Sequence, residues 1–266
     1  GLFKNKIIKN RIMLIILSPA KKLDYDTPPV ITKHTQPEFL EDAQVLIDEL
    51  QHYSPEEVGK LMKLSANLAQ LNYERYQMWQ QPFTPENAKQ SVLAFKGDVY
   101  QGMKPETFSE SDFDQAQKRV RILSGLYGML RPLDLMQPYR LEMGTKMTNP
   151  RGKNLYEFWG SKLAEKINKL IEDHHYKALI NLASGEYYKA VDEKSLKYPV
   201  ITPVFKEEKN GTYKTIGIHA KKARGMMTRY IIQQQVYDPE ELKGFSSGGY
   251  AYSDALSSGN EMVFIR

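Results

Sequence analysis

The first apolar run in the chain, residues 13–18 (MLIILS), is continuous rather than alternating, the pattern of a short strand buried on both faces of a sheet. A polar stretch punctuated by prolines follows, to residue 36. Helical periodicity then begins: Pro37 suits a first turn, and Phe39, Leu40, Ala43, Ile47 and Leu50 recur on one face. Ser54 and Glu57 have capping-box spacing ahead of a second helix carrying Val58, Leu61 and Met62. After a break at Leu64, Ser65 is placed to cap a third, with Leu68, Leu71 and Tyr76, so the second and third helices form a tight helix–turn–helix pair. Farther along, the pattern predicts strands over 91–95, 120–123 and 178–183, a short helix over 109–119, the longest helix over 155–171 and another over about 223–235. Asn210-Gly211, between β-rich runs, is the strongest hairpin signal, and residues 262–265 suit a closing strand. Strands and helices mix without strict alternation. The expected fold is α/β mixed (α+β), a central mixed sheet flanked by helices, with one domain over 13–266 and the helical pair at 54–79 as an insertion.

One segment, residues 123–144 (LSGLYGMLRPLDLMQPYRLEMG), fits no regular element. Glycines and prolines shape it, and Arg131, Asp134, Arg140 and Glu142 stand among leucines, methionines and tyrosines. That much apolar surface packs down, so an ordered site loop is expected rather than a disordered one.

Strand-like runs end in polar residues throughout: Ser18 with Lys21 and Lys22, Lys96 with Asp98, Ser124 leading to Arg131 and Arg140, Ser184 with Glu186 and Lys189, and Lys221 with Lys222 and Arg224. If several strands are parallel, these ends converge on one edge, where open α/β sheets bind ligands. The plainer alternative is that strand ends lie at the surface and surfaces are charged. The run HAKKARG, 219–225, sits where a strand would pass into a helix. There Lys221, Lys222 and Arg224 would cradle a phosphate with the help of free first-turn N–H groups, or would be a solvated basic turn. Glu186, just past a buried strand, is the carboxylate best placed for acid/base work, and equally an ordinary surface glutamate.

Composition narrows the choices. The chain has 266 residues, 41% hydrophobic and 26% charged, which suits an ordinary globular protein. Its net charge of +5 owes much to Lys4, Lys6, Lys9 and Arg11; without those four the body is close to neutral, and any basic surface is local. The first 12 residues lack an apolar core and cleavage site, so they are expected to be a leader or an added extension before a natural start at Met13, and the location to be cytoplasmic. No apolar run approaches the ~20 residues of a membrane span, and no membrane partner is expected. The chain has no cysteine, which removes disulfides, thiol peroxidase chemistry and thiolate metal sites. The five histidines are scattered, and HExxH, EF-hand, GxGxxG, GxxxxGK[ST] and GxSxG patterns are missing, so neither a metal nor another cofactor is expected.

The blocks SPAKKLDYDTP, TPENA, AFKGDVYQG, ETFSESDFDQAQ, LSGLYGMLRPLDLMQPYRLEMG, NLYEFWG, NLASGEYYKAV and AKKARGMMTRYII occur in that order. In them the chain resembles the bacterial peroxide-stress-resistance family called YaaA. The resemblance implies a cytoplasmic protein that limits oxidative damage to DNA and proteins and is linked to low free iron. It also implies a helix–hairpin–helix element and a positively charged cleft suited to double-stranded DNA. That element maps onto 54–79, where the hairpin LMKLSANL has no glycine and Lys60, Lys63 and Ser65 are its candidate phosphate contacts.

Two functions are therefore expected as alternatives. In the first, Lys21, Arg131, Arg140, Lys221, Lys222 and Arg224 form a cleft for DNA phosphates while the helical pair grips the backbone. In the second, the same cations fix a small nucleotide or a nucleic-acid base while Glu186, Asp134 or Glu142 supplies acid/base chemistry. Those carboxylates would otherwise pair with Arg131 and Arg140 to brace the loop. Iron storage would need paired Glu and His on facing helices, a spacing the chain lacks.

Overall fold

The computed structural model describes residues 13–266; the expected leader, 1–12, lies outside the described residues. The chain opens with β1 (Leu14–Leu17) and β2 (Lys22–Leu23), then α1 (Leu40–Leu50), α2 (Pro55–Met62) and α3 (Ala66–Met78). Short pieces follow: β3 (Lys89–Gln90), α4 (Ser91–Ala94), β4 (Phe95–Lys96) and α5 (Asp98–Met103). Next come α6 (Glu110–Arg119), β5 (Val120–Ser124), β6 (Gly128–Leu130), β7 (Leu135–Met136), α7 (Leu155–Trp159) and α8 (Lys162–Ile171). The last part holds β8 (Leu179–Leu182), α9 (Gly185–Tyr188), β9 (Val200–Lys209), β10 (Thr212–Lys214), α10 (Gly217–Gln233), β11 (Ala251–Ser258) and β12 (Glu261–Ile265).

These strands build a central mixed sheet flanked by helices, in the order β11-β12-β9-β8-β1-β5-β6, with β10 paired to β9. Its middle is parallel: Ile15 lies opposite Val120 of β5 on one side and Ile180 of β8 on the other. The five residues Met13 to Leu17 are fully buried, as a strand covered on both faces must be. The next sheet strand after β1 lies on its β5 side, whereas β8 is followed by β9 in the opposite direction. The connections thus leave two adjacent parallel strands to opposite sides, which opens a crevice at their C-terminal ends.

Several local signals act as the sequence suggests. Ser54 accepts from the Glu57 N–H while Glu57 accepts from the Ser54 N–H, and Lys63 then ends α2 in the left-handed region, φ 55°. Ser65 caps α3 through the Leu68 N–H at 3.3 Å. Asn210-Gly211 turns β9 into β10.

Other expectations are corrected. Of the strand expected over 91–95 only Phe95 is extended, as the start of β4: the Ser91 hydroxyl and the Val92 N–H donate to the carbonyls of Arg131 and Pro132, which curls residues 91–94 into α4 against the long loop. The predicted helix 155–171 is broken at Gly160, φ 52°, because the Trp159 indole turns inward to donate to the Gly125 carbonyl. The long loop folds back as β6, antiparallel to β5. The helix expected from 223 begins at Gly217, so Lys221 and Arg224 lie inside it with their N–H groups already used. The phosphate cradle of a helix N-terminus is therefore unavailable to the HAKKARG run. Strand β11 carries no clear apolar alternation and was not anticipated; its side chains are mostly exposed.

Backbone contact between α5 and α10 fixes one wall of the crevice. A Cβ on Gly225 would stand 1.8 Å from the Val99 carbonyl oxygen, and one on Gly102 would stand 2.0 Å from that of Lys222. Among the described residues no helix is long and apolar enough to cross a membrane. Gly225→Ala must separate the two helices and is expected to lower stability in urea denaturation by about 2 kcal/mol or more. Gly217→Ala, where a Cβ meets nothing within 4 Å, is expected to change it by no more than about 0.5–1 kcal/mol, in the stabilising direction. Equal effects of the two would contradict the close crossing.

Candidate functional site

The crevice at the ends of β1 and β8 is a cleft of about 540 Å³. Its floor joins the two strands: the Ser184 N–H donates to the Ser18 hydroxyl at 2.8 Å, and that hydroxyl donates to Ser184 Oγ at 3.2 Å. Tyr100 of α5 donates to the Ser18 carbonyl, which ties the adjoining wall to the same point.

Five cations line this cleft: Lys21 from the turn after β1, Lys22 from β2, Lys96 from β4, and Lys221 and Arg224 from α10. Three carboxylates, Asp98, Glu142 and Glu186, accompany them. Lys21 is paired with Glu142 at 2.9 Å. The other four cations form no salt bridge among the described residues. Lys22 and Lys96 are direct cross-strand partners in the β2–β4 ribbon, like charges placed opposite each other. Arg224 is half-buried, and burial alone holds its guanidinium below the usual arginine range. The cleft therefore carries an excess of positive charge, five cations against three carboxylates.

Glu186 stands at the rim on α9 with one carboxylate oxygen accepting the Gly144 N–H at 3.0 Å and the other making no hydrogen bond among the described residues. Tyr187 beside it lines the cleft, its phenol pushed up chiefly by burial, with Tyr139 and Glu186 adding to the effect.

The remaining candidates are elsewhere. Arg140 lies behind the rim in a small recess with Lys21 and Tyr187, and its carbonyl accepts from Tyr76 of α3. Lys222 faces a neighbouring depression with Gln101, Lys104 and Arg229. Lys189 lies over the Tyr156 ring at 4.6 Å. Arg131 and Asp134 are joined to each other: buried Asp134 accepts from the Arg131 N–H at 2.7 Å, from Arg131 Nε at 3.0 Å and from the Thr35 hydroxyl at 2.6 Å. Burial raises its carboxyl above the usual range, against these hydrogen bonds. The pair braces the long loop.

Lys60, Lys63 and Ser65 are exposed on the helical pair. The Leu64 N–H is taken by the Gly59 carbonyl, so the donors open to a phosphate are those of the first turn of α3, at Ala66 and Asn67. The Lys22–Lys96 opposition was beyond sequence reading because β2 and β4 are two residues each, too short to show a pairing pattern.

Residues 13–256 match the family described as peroxide stress protein YaaA. The chain belongs to this family. A UPF0246 protein from Cellvibrio japonicus (strain Ueda107) is similar to it, 57% identical over 254 residues that cover 96% of this chain and 98% of that protein. Within this YaaA-family chain Lys21, Lys22, Lys96, Lys221 and Arg224 thus share one cleft with Asp98, Glu142 and Glu186, while Asp134 serves the loop. Asp134→Ala would leave the Arg131 N–H and the Thr35 hydroxyl without this buried acceptor, while Arg131 Nε keeps Glu38 at 3.3 Å, and is expected to cost about 3 kcal/mol in urea denaturation. A loss below about 1 kcal/mol would show that the brace is unimportant.

Proposed function

We propose that this peroxide-stress protein is cytoplasmic and acts by binding double-stranded DNA, with backbone phosphates seated in the cleft between Lys22, Lys96, Lys221 and Arg224. The observation that carries this reading is the set of four cations without carboxylate partners around one crevice, two of them directly opposed across a ribbon. A bound polyanion relieves that repulsion. The helical pair, acting as a helix–hairpin–helix element, supplies a second grip through Lys60, Lys63, Ser65 and the first-turn N–H groups of α3, with Arg140 between the two. Coverage of DNA in this way limits iron-dependent oxidative damage without any thiol chemistry, in keeping with a chain that has no cysteine.

A second reading is favoured by a separate observation, the position of the cleft at the switch point between β1 and β8 with Glu186 and two serine hydroxyls on the same side. Here the occupant is a small nucleotide or an exposed base. The cations fix phosphate, Tyr187 offers a ring, and the open oxygen of Glu186 moves the proton, with Glu142 held by Lys21 as the next carboxylate.

Fluorescence anisotropy of a labelled duplex across a salt series separates the readings. Binding is expected to weaken steeply with salt, and Arg224→Met and Lys221→Ala each to reduce the log–log slope by about 1 and weaken binding uniformly across sequences. Salt-independent binding, or variants indistinguishable from the parent, would overturn the DNA reading. Glu186→Gln is expected to leave duplex binding unchanged; if a nucleotide is turned over, the same change is expected to reduce turnover about 100-fold or more.

A further inference from the structure

The C-terminal end of α3, the segment after it to residue 90 and the residue 25–34 segment enclose a second concavity, a groove of about 760 Å³ that shares no lining residue with the cleft. Its walls are largely apolar, formed by Pro28, Pro29, Ile31, Met78, Trp79 and Pro138. Met78 is 77% exposed there, unusually open for a large apolar side chain at the end of a helix.

Among these walls stands one guanidinium. Arg75, half-buried on α3, makes a hydrogen bond to Asn72 Oδ1 at 3.2 Å and no salt bridge among the described residues. The charge acting on it is that of Arg140, which repels, while Tyr25 and Tyr76 are neutral phenols; burial is the leading cause that lowers its pKa. The other cation at the groove, Lys89, is different: its ammonium donates to the carbonyls of Asp24 and Thr27 at 2.9 and 2.7 Å, and so ties down the segment that forms the wall. Glu86 is the one carboxylate lining the groove; it is exposed and salt-bridges neither cation among the described residues.

A desolvated positive charge beside flat apolar walls is complementary to a ligand of opposite make-up, a planar apolar body with one negative group. Proline rings and a methionine thioether are good surfaces for an aromatic face. We infer that this groove binds a small aromatic anion, its carboxylate, sulfonate or phosphate on Arg75 and its ring against Pro28, Pro29 and Met78. The site is independent of the DNA-binding cleft, since it uses none of the same residues.

Two dyes of nearly the same shape test it: 1-anilinonaphthalene-8-sulfonate, which is charged, and N-phenyl-1-naphthylamine, which is not. Titrated into the whole chain and followed by dye fluorescence, the sulfonate is expected to bind one per chain and about tenfold more tightly than the neutral dye. Arg75→Met removes that preference, weakening the sulfonate about tenfold with the neutral dye unchanged. Met78→Glu, a change at an exposed position that leaves folding intact, weakens the sulfonate by repulsion. Equal affinity for the two dyes, an Arg75→Met variant that binds the sulfonate as before, or no binding of either dye to the folded chain would each overturn the site.

Discussion

Pairing of β1 between β5 and β8 is the constraint from which the rest of the molecule follows. A strand buried on both faces has little room for polar side chains along its length: β1 carries none, and apart from buried Arg121 of β5 and Asn181 of β8 the polar residues of the three central strands fall at or beyond their ends. Parallel pairing then puts those ends on one edge. Because the chain proceeds from β1 and from β8 in opposite directions across the sheet, no connection covers that edge between them. The cleft is thus a product of topology before it is a product of side chains, and the Ser18–Ser184 contact marks where the two strand ends meet.

Backbone packing completes it. The crossing of α5 over α10 at Gly102 and Gly225 brings two main chains closer than any side chain would allow, and so sets Lys221 and Arg224 on the wall beside Lys96. Elsewhere two buried carboxylates are met by cations, Asp42 by Arg151 and Lys162 and Asp134 by Arg131, whereas the buried guanidinium of Arg119 is held by backbone carbonyls. Of the four cleft cations without acidic partners among the described residues, Lys22, Lys96 and Lys221 are exposed and Arg224 is half-buried, so what sets the cleft apart is their convergence rather than a cost of burial. In the function proposed above, the anion that gathers these cations is the phosphate backbone of DNA.

Much of the fold was legible because it is encoded locally. The continuous apolar run of β1, the Ser54 capping box, the Ser65 cap and the Asn210-Gly211 turn each depend on residues a few positions apart. What escaped depends on partners far along the chain. Residues 91–95 have the composition of a strand, but 91–94 curl because carbonyls some 40 residues away capture their hydroxyl and N–H. The helix through Trp159 breaks because its indole has a partner at Gly125. In the site, the polar endings of the apolar runs were visible, yet which of them share a cleft depends on the strand order: Lys96 and Glu142 lie at its rim, while Arg131 turns to Asp134 and Lys222 to another depression. The backbone N–H cradle attributed to HAKKARG failed for a local reason, since Gly217 and Ile218 begin the helix despite a strand-like sequence before them.

The central claim, that the switch-point edge of the sheet holds nucleic-acid phosphate, is tested most directly by hydrogen exchange followed by mass spectrometry, with and without a saturating short duplex at low salt. Slower exchange is predicted in the peptides covering residues 18–23, 95–102, 184–188 and the exposed start of α10, with the β11–β12 edge unchanged. Protection confined to other surfaces, with those four segments exchanging as in the free protein, would contradict it.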